Sequence, residues 1–525
     1  MAIDSLTGPI TTNEISAFKA YMATQTPGQT PWGTLGGTGH NEWADGNSGN
    51  ALEALGLMYE ASSDIAILNT MISWADKCTS ERNDLMSAAN GGQRVMWTGH
   101  INKVWVPNDP TSSAATYVGG ENGDTKAHLA YCALEILKNP SIWNTTVPDG
   151  NPFGYGTTYF QRATNYVVKC DEGHTDYDHI FYTSTNTVRN PSNWPSGFHT
   201  MEANNIQMML LGYLERLAEC HEILGDNPAR VTQYDTIVKT AATECINGMA
   251  ACHPGTVSGI SVYAWGYYPW SVYPSQLESV GHAAYDMVGV YRAYNRSSYG
   301  FTLSKVTPFA NALVYVMSQG ANNFSANVDG SGGTQNYMQA QWVLLADWNP
   351  SVYDLVAAAD LASNRYKTTT LMDATILWMK QRRYLTGSTW EIQNVTSSKV
   401  LNQGGSLTNG SPISQWTAGT SDNLKFNFVP TSYGYYEIKS VKSGRDVVVQ
   451  SASTANGANL VQWSLGSSGN DQWRPVQSSD GTWEFFNLNS GKVINNIGGS
   501  LTNGSPYGQW TAGTSSNLRF NLLPQ

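Results

Sequence analysis

The sequence predicts a multi-domain protein: an all-α (α/α) toroid or barrel of six or seven helical hairpins, followed by an all-β domain. Apolar residues recur at helical spacing through the larger, first part of the chain. The last part instead repeats one Gly- and Asn-rich unit three times. Because 525 residues are too many for one ordinary core, we divide the chain into residues 1–388 and 389–525.

The helical period is clearest in six stretches of the first domain. Several of them are apolar on more than one face, as expected of an inner ring of helices wrapped by an outer one. The starts of the inner helices would line one mouth of such a toroid, so polar residues at those starts are candidate site residues. The six stretches are Asn50–Asp64, Asp124–Asn139, Asn204–Asp226, Gly281–Tyr294, Val306–Gly320 and Thr369–Leu385.

The repeats of the second domain are marked by evenly spaced Gln-Trp pairs. Their tryptophans are Trp416, Trp463 and Trp510. A second aromatic residue follows each pair at a fixed distance, and its regular recurrence is typical of a core position. Three such units predict a threefold closed sheet, with these second aromatic residues in its core: Phe426, Trp473 and Phe520.

This threefold repeat resembles the ricin-B-type β-trefoil, a lectin-like module often appended to carbohydrate-active enzymes. The resemblance implies a sugar site built from an acidic residue near the start of a repeat, with an aromatic residue and an Asn or Gln later. The middle repeat carries that acid, Asp446, whereas the outer repeats have Val400 and Val493. We therefore expect one competent pocket, formed by Asp446, Asn459 and Trp463.

Composition supports a carbohydrate-handling protein. Only 13% of the residues are charged, while Trp, Tyr, Gly and neutral polar residues are abundant. The net charge of −11 disfavours nucleic acid and anionic membranes as partners, and no apolar run reaches transmembrane length. The expected partners are a polysaccharide substrate and a glycan bound by the trefoil.

The chain shows no leader pattern at its start, yet it carries six Asn-x-Ser/Thr sequons. We interpret it as a secreted, extracellular glycoprotein whose signal peptide was removed. All six cysteines fall in the first domain, where disulfides and buried free thiols are both open alternatives. The sequons begin at Asn144, Asn295, Asn323, Asn394, Asn409 and Asn503.

Three contexts in the first domain carry candidate catalytic residues. The segment GFHTMEANNIQ places His199, Asn204 and Asn205 where a loop enters an inner helix. The segment LESVGHAAYDM places His282 and Tyr285 within one turn of the same helix. The third is a Trp-rich loop, RVMWTGHINKVW, whose catalytic candidates are Arg94 and His100, with Trp97 as a candidate carbohydrate-binding residue.

These contexts resemble the toroidal polysaccharide lyases related to alginate lyases. Such enzymes use Asn or His to neutralise a uronate carboxylate, which acidifies the C5 proton. A His or Tyr then takes that proton and protonates the leaving oxygen. The resemblance implies that Asn204 or Asn205 neutralises, that His199 neutralises or acts as base, and that Tyr285 or His282 is the acid/base. The predicted function is therefore a polysaccharide lyase with an appended carbohydrate-binding module.

Two alternatives stay open. A glycoside hydrolase on the same fold needs two carboxylates flanking the scissile bond, and the acidic first domain suits a neutral substrate. A non-catalytic chimeric lectin would use the helical domain only as a scaffold. Neither a cofactor nor a metal site is predicted. The carboxylate candidates for hydrolysis are Asp45, Glu121, Asp124, Asp176, Asp178 and Glu278.

Overall fold

The computed structural model describes residues 1–28, 41–106, 117–194, 201–269, 276–320, 322–464 and 469–525. The first domain is helical and the second is a β-sheet structure, as the sequence predicts. Two separate hydrophobic cores correspond to these two parts. The last long helix ends at Thr386 and the first strand of the sheet domain begins at Trp390.

All six predicted helical stretches lie on helices. The stretch Val306–Gly320 divides into an α-helix and a π-helical turn, Leu313–Met317. In the described part of the first domain, short strands lie between the helices: β1 (His253–Val257), β2 (Ile260–Ala264), β3 (Phe324–Ser325) and β4 (Thr334–Gln335). The helices are α1 (Thr12–Met22), α2 (Asn47–Ser62), α3 (Ile65–Ser80), α4 (Asn122–Leu137), α5 (Tyr159–Asp176), α6 (Asn204–Leu224), α7 (Pro228–Cys252), α8 (Val280–Asn295), α9 (Leu303–Ala312), α10 (Ser351–Ser363) and α11 (Thr370–Thr386).

The helices pack in a series that closes on itself. Helix α2 packs against α4, α4 against α6, and α6 against α8. Both α8 and α11 pack against the 3₁₀ segment Ala340–Asp347, and α11 returns to α2. The intervening helices α3, α5, α7 and α9 each pack against members of this series. The arrangement brings the starts of α2, α4, α6 and α8 to one end.

The second domain is a closed barrel with three hairpins. Its twelve strands are β5 (Trp390–Asn394), β6 (Val400–Asn402), β7 (Ser414–Trp416), β8 (Phe426–Pro430), β9 (Tyr436–Ser440), β10 (Asp446–Val449), β11 (Leu460–Trp463), β12 (Gln472–Gln477), β13 (Trp483–Asn487), β14 (Val493–Asn496), β15 (Tyr507–Trp510) and β16 (Phe520–Pro524). Strands β5, β8, β9, β12, β13 and β16 pair in that order, and β16 returns to β5.

Each repeat adds one hairpin to this barrel, namely β6–β7, β10–β11 and β14–β15. This is the β-trefoil arrangement, in which every repeat completes the core of its neighbours. The recurring aromatic residues Phe426, Trp473 and Phe520 are fully buried in that core. Their predicted core position is confirmed.

The trefoil is docked on the helical domain through the turn between β8 and β9. The ring of Tyr433 lies 5.7 Å from that of Tyr131 on α4. Gly434 approaches α2 so closely that a Cβ atom would lie 3.0 Å from the carbonyl oxygen of Glu60, and its φ of +74° also favours glycine. Tyr435 donates from its Oη to the carbonyl of Lys138 at 2.5 Å.

A buried arginine joins the two domains beside this turn. Arg474 on β12 donates from Nη2 to Glu135 of α4 at 3.0 Å and to the Tyr433 carbonyl at 3.1 Å. Its guanidinium lies 5.0 Å from the ring centre of Tyr59 and 4.7 Å from that of Tyr435. Arg474 is 2% exposed and Glu135 is 0% exposed, so this pair is part of the molecule's interior.

The six cysteines are all buried as free thiols, which is the second of the two sequence alternatives. Within the described ranges, no helix is long and apolar enough to cross a membrane.

Candidate functional site

The three hairpins of the trefoil each present an exposed tryptophan. Trp416, Trp463 and Trp510 are 45%, 46% and 46% exposed, which is unusual for so large an apolar side chain. One edge of each ring packs near a glycine of another repeat: Trp463 lies over Gly410, for example. The other surface of the indole is available to a sugar ring.

The residue that shares a sheet face with each of these tryptophans differs between the repeats. In the first hairpin Asn402 lies opposite Ser414, and in the third Asn495 lies opposite Gly508. Because side chains alternate along a strand, each Asn shares a sheet face with the tryptophan of its hairpin. The same position of the middle hairpin is Val448, opposite Val461. The outer repeats therefore combine an indole with an amide, and the middle repeat does not.

The amides of the outer repeats are held by short hydrogen-bond networks. Asn423 donates from Nδ2 to the Oδ1 of Asn402 at 2.7 Å, and Asn402 donates to Ser414 at 3.2 Å. Asn517 donates in the same way to Asn495, also at 2.7 Å. These buried or half-buried amides are rigid neutral hydrogen-bonding groups beside an aromatic face, which is the chemistry that sugar sites use.

The predicted acid of the middle repeat is turned inward. Asp446 is 0% exposed and binds the Nζ of Lys439 at 2.6 Å. Burial raises the pKa of Asp446 to about 6, against the opposing effect of Lys439. Asp446 lies opposite Trp463 in the same register in which Val400 lies opposite Trp416. Asp446 is thus buried in an ion pair with Lys439, at the position that Val400 holds in the first hairpin.

The other two predicted residues of that pocket are exposed. Trp463 lines a cleft of about 530 Å³ together with Val448, Ser451 and Asn470. Asn459 is exposed in the loop before β11, where its carbonyl accepts a hydrogen bond from the Gln450 amide. Asn470 donates its amide to the Val449 carbonyl at 2.8 Å, so it is committed to the backbone.

At the start of α8 an exposed histidine is backed by a buried carboxylate. The Nδ1 of His282 lies 3.4 Å from the Oε1 of Glu278, and their side chains are 56% and 0% exposed. The same carboxylate oxygen accepts the Ser279 amide at 2.8 Å. The hydrogen bond that the His282 ring donates to Glu278 raises the pKa of His282. Glu278 therefore fixes the ring and favours its charged form.

Tyr285 lies one turn after His282 on the same helix. It lines a cavity of about 40 Å³ with Asn50, Asp124 and Gln341. Burial, with smaller effects from the charges of Asp45 and Asp124, raises the pKa of Tyr285. Its hydroxyl is therefore neutral near pH 7, and it donates to the Asp45 carbonyl at 3.4 Å.

The asparagines at the start of α6 have different surroundings. Asn204 is buried and donates from Nδ2 to the Gly266 carbonyl at 2.8 Å, while its Oδ1 accepts the Cys245 thiol at 3.2 Å. Its side chain is saturated by internal partners. Asn205 is also buried, but among the described residues its Oδ1 has no hydrogen-bond partner. The third predicted residue of this segment, His199, lies outside the described residues.

The Trp-rich loop is anchored away from the start of α8. Trp97 donates from its indole nitrogen to the Tyr177 hydroxyl at 2.9 Å and packs edge-on against Trp194. The Arg94 backbone is bonded to the side chain of Asn83. His100 is exposed on the same loop. The described contacts do not join these three predicted residues to His282 or Tyr285.

The carboxylates predicted for hydrolysis divide into two groups. Asp176 accepts the Lys103 amide and Asp178 binds the buried Lys126, so both are held in structural contacts. The other four lie around the starts of α2, α4 and α8, where they affect the pKa values of neighbouring groups. They are Asp45, Glu121, Asp124 and Glu278.

Glu202, which lies just before α6, was not among the candidate site residues predicted from the sequence. Burial raises the pKa of Glu202 to about 7, and the charge of Glu121 adds to this shift. Glu202 lies within the segment GFHTMEANNIQ, but its pKa shift depends on burial by distant segments, which the local sequence does not show.

A family model of the ricin-type β-trefoil lectin domain matches residues 377–444 and 422–510. The C-terminal region is therefore a ricin-B-type β-trefoil, a lectin-like domain. No match to this model covers residues 1–376, and no curated protein matches the chain.

Several solved structures are similar over about a quarter of the chain. A designed threefold-symmetric protein, ThreeFoil, is 28% identical over 26% of this chain and 99% of its own, with a TM-score of 0.26. An exo-β-1,3-galactanase from Clostridium thermocellum is 29% identical, with a TM-score of 0.26, and the chain covers 30% of its length. The Macrolepiota procera ricin B-like lectin, solved with lactose, is 17% identical over 27% of this chain and 97% of its own, with a TM-score of 0.24.

Proposed function

We propose that the protein is a secreted carbohydrate-active enzyme in which a helical toroid cleaves a polysaccharide and the trefoil binds glycan. The closed packing series of α2, α4, α6, α8, the 340–347 segment and α11 supports the toroid. The reaction that this site supports best is β-elimination on a uronate-containing glycan. The observation that carries it is the exposed imidazole of His282, held by buried Glu278 one turn before Tyr285.

In this proposal His282 is the base and Tyr285 the acid. The imidazole takes the C5 proton, and Glu278 stabilises the imidazolium that forms, as a carboxylate does behind a catalytic histidine. Tyr285 protonates the oxygen at C4 as the C4–O bond breaks and the C4–C5 double bond forms. In this proposal Asn205 offsets the uronate carboxylate by donating to it from the amide Nδ2–H.

Glycoside hydrolysis is the second candidate, and one observation favours it. Burial raises the pKa of Glu202 to about 7, and the charge of Glu121 contributes to this increase. Two carboxyl groups whose environments separate their pKa values can serve as the acid and base of a glycosidase.

The two reactions leave different products. The full chain is incubated with polyuronates and with neutral polysaccharides, and ultraviolet absorbance and reducing ends are both followed. β-Elimination produces an absorbing unsaturated uronate, whereas hydrolysis produces reducing ends without it. Cleavage of neutral glycans alone would reject the lyase. Tight glycan binding with no cleavage of any substrate would favour the chimeric lectin.

We also propose that the outer repeats of the trefoil hold its glycan sites, centred on Asn402 with Trp416 and on Asn495 with Trp510. Replacing Trp416 and Trp510 together with Ala should weaken glycan binding by about tenfold or more, because each site loses its stacking surface. Affinity is measured on a glycan array and then by calorimetry with the best glycan.

Trp463→Ala is the matched control, because that tryptophan is equally exposed but shares its sheet face with Val448, where the outer repeats have an Asn. We expect its affinity to equal that of the parent chain. The opposite result, a loss only in Trp463→Ala, would return the site to the middle repeat with Asp446 and Asn459.

A further inference from the structure

Each exposed tryptophan of the trefoil lies beside an Asn-Gly turn that belongs to another repeat. The asparagine side chain of the turn is hydrogen-bonded, at 3.0 to 3.2 Å, to the residue that follows the tryptophan. The glycine approaches the indole so closely that an added Cβ atom would lie 3.6 to 4.0 Å from the ring. The hydrogen-bonded pairs are Asn409 with Ser464 beside Trp463, Asn456 with Thr511 beside Trp510, and Asn503 with Thr417 beside Trp416.

Two of these three asparagines begin an N-glycosylation sequon, and the third does not. Asn409 and Asn503 are each followed by Gly-Ser, which supplies the hydroxyl residue that the modification requires. Asn456 is followed by Gly-Ala, which does not. All three asparagines are exposed, so the difference between them lies in the sequon and not in access. A glycan can therefore be attached beside the tryptophans of the first two hairpins, but not beside Trp510.

The same two sequon turns expose an apolar side chain. Leu407 and Leu501, two positions before the sequon asparagines, are 58% and 65% exposed. The turn without a sequon has the polar residue Thr454 at this position. Each sequon turn thus adds an exposed leucine to the exposed tryptophan beside it, and exposed apolar groups of this kind mark a surface that another group covers. A bulky, polar glycan on the same turn is such a group.

The remaining sequon of the trefoil is closed to a glycan. Asn394 is 0% exposed, and its Nδ2 donates to the carbonyls of Asn517 and Arg519 at 3.0 and 3.2 Å. Because the linkage replaces one hydrogen of Nδ2, it would break one of these bonds inside the folded domain. The described hydrogen bonds of Asn409 are instead made by its Oδ1, and Asn503 donates once from Nδ2, so each keeps an N–H for the linkage.

We propose that N-glycans on Asn409 and Asn503 cover the tryptophans beside them, Trp463 and Trp416. Trp510 then stays open, so an external glycan binds at the proposed site of the third hairpin. Each linkage forms when Nδ2 bonds to C1 of an oligosaccharide carried on a lipid-linked diphosphate. The C1–O bond to the diphosphate breaks, the diphosphate leaves with the electron pair, and Nδ2 loses a proton. The inference rests on the proposed secretion, during which the chain meets this donor.

The test is hydroxyl-radical footprinting of the full chain, secreted by a eukaryotic host and analysed by peptide mass spectrometry. Without a glycan the three indoles are 45%, 46% and 46% exposed, so they should oxidise at similar rates. We expect both turn asparagines to be occupied and Asn394 to be unmodified. Trp416 and Trp463 should then oxidise several-fold more slowly than Trp510.

Matched variants change the glycans but keep the asparagines. Ser411→Ala and Ser505→Ala together remove both sequons, so the three tryptophans of this double variant should oxidise alike. Ala458→Ser creates a sequon at Asn456, and its occupied form should oxidise Trp510 as slowly as the other two. The first variant tests whether the protection needs the glycans, and the second tests whether a glycan on this turn is sufficient.

The outcomes separate this inference from the proposed glycan sites. Unmodified Asn409 and Asn503 in the secreted chain would overturn it. Equal oxidation of the three tryptophans with both asparagines occupied would overturn it too, because the glycans would then point away from the rings. On the glycan array, Trp510→Ala in the glycosylated chain should lose binding, whereas Trp416→Ala should not. A chain that binds no glycan at all would reject the proposed sites, but the footprint needs no added glycan and still decides this inference.

Discussion

Replacing Arg474 with Ala should lower the free energy of unfolding by about 3–5 kcal/mol, because it leaves Glu135 buried without its counter-charge. The variant also loses the hydrogen bond to the Tyr433 carbonyl and the contacts with the rings of Tyr59 and Tyr435. Guanidinium unfolding followed by tryptophan fluorescence measures the change. Limited proteolysis between Thr386 and Trp390 reports whether the trefoil has separated from the helices.

Two variants serve as controls for this prediction. Arg383 forms an exposed ion pair with Asp354, so Arg383→Ala should change stability by less than about 1 kcal/mol. Replacing Arg474 and Glu135 together with Met and Leu removes both charges, and this double variant should be more stable than Arg474→Ala alone. Equal, small effects in Arg474→Ala and Arg383→Ala would show that the buried pair does not hold the domains together.

Replacing His282 with Ala should reduce kcat for glycan cleavage by about 10²- to 10⁴-fold, since it removes the proposed base. In the parent chain, activity should rise with pH as His282 loses its proton. Because Glu278 raises the pKa of His282, this rise is expected above the ordinary histidine range. Initial rates across a pH series in both chains check this.

His221 offers a matched control for this second prediction. It also lies between carboxylates, 3.1 Å from Asp171 and 2.7 Å from Asp226, but near the end of α6 and not at a helix start. His221→Gln should retain the parent kcat per folded molecule. A His282→Ala variant that keeps full activity would remove this histidine from the mechanism.

Local patterns allowed much of the fold to be predicted. The stretch Gly281–Tyr294 matches α8, Val280–Asn295, because a helix bound to a core on one side repeats its apolar residues along the chain. The buried aromatic residues Phe426, Trp473 and Phe520 were predictable for a similar reason, since each repeat places an aromatic side chain at the same position of the core.

The proposed glycan sites of the outer repeats depend on strand register, which the sequence does not show directly. A search for an acidic residue selects Asp446, whereas the pairing of β6 with β7 places Asn402 on the sheet face of Trp416. The signal was present in the outer repeats, which read Lys-Val-Leu-Asn and Lys-Val-Ile-Asn. Asp446, Asn459 and Trp463 remain a prediction for the middle repeat.

The domain interface had no signal in the sequence. Arg474 and Glu135 are separated by 339 positions, and neither belongs to a recognisable motif. The buried carboxylate behind His282 is equally hidden, because Glu278 resembles an ordinary polar residue that precedes a helix. Such contacts depend on tertiary packing, which no local pattern records.

The docked turn around Gly434 has a consequence for how the protein meets a long glycan. A module on a flexible tether raises the local concentration of its ligand over many separations, whereas one locked in place does so only at a fixed span. Under the proposed function, a glycan long enough to reach from the trefoil tryptophans to the start of α8 would bind at both places and gain avidity. An oligosaccharide too short to bridge that gap must rely on one site alone.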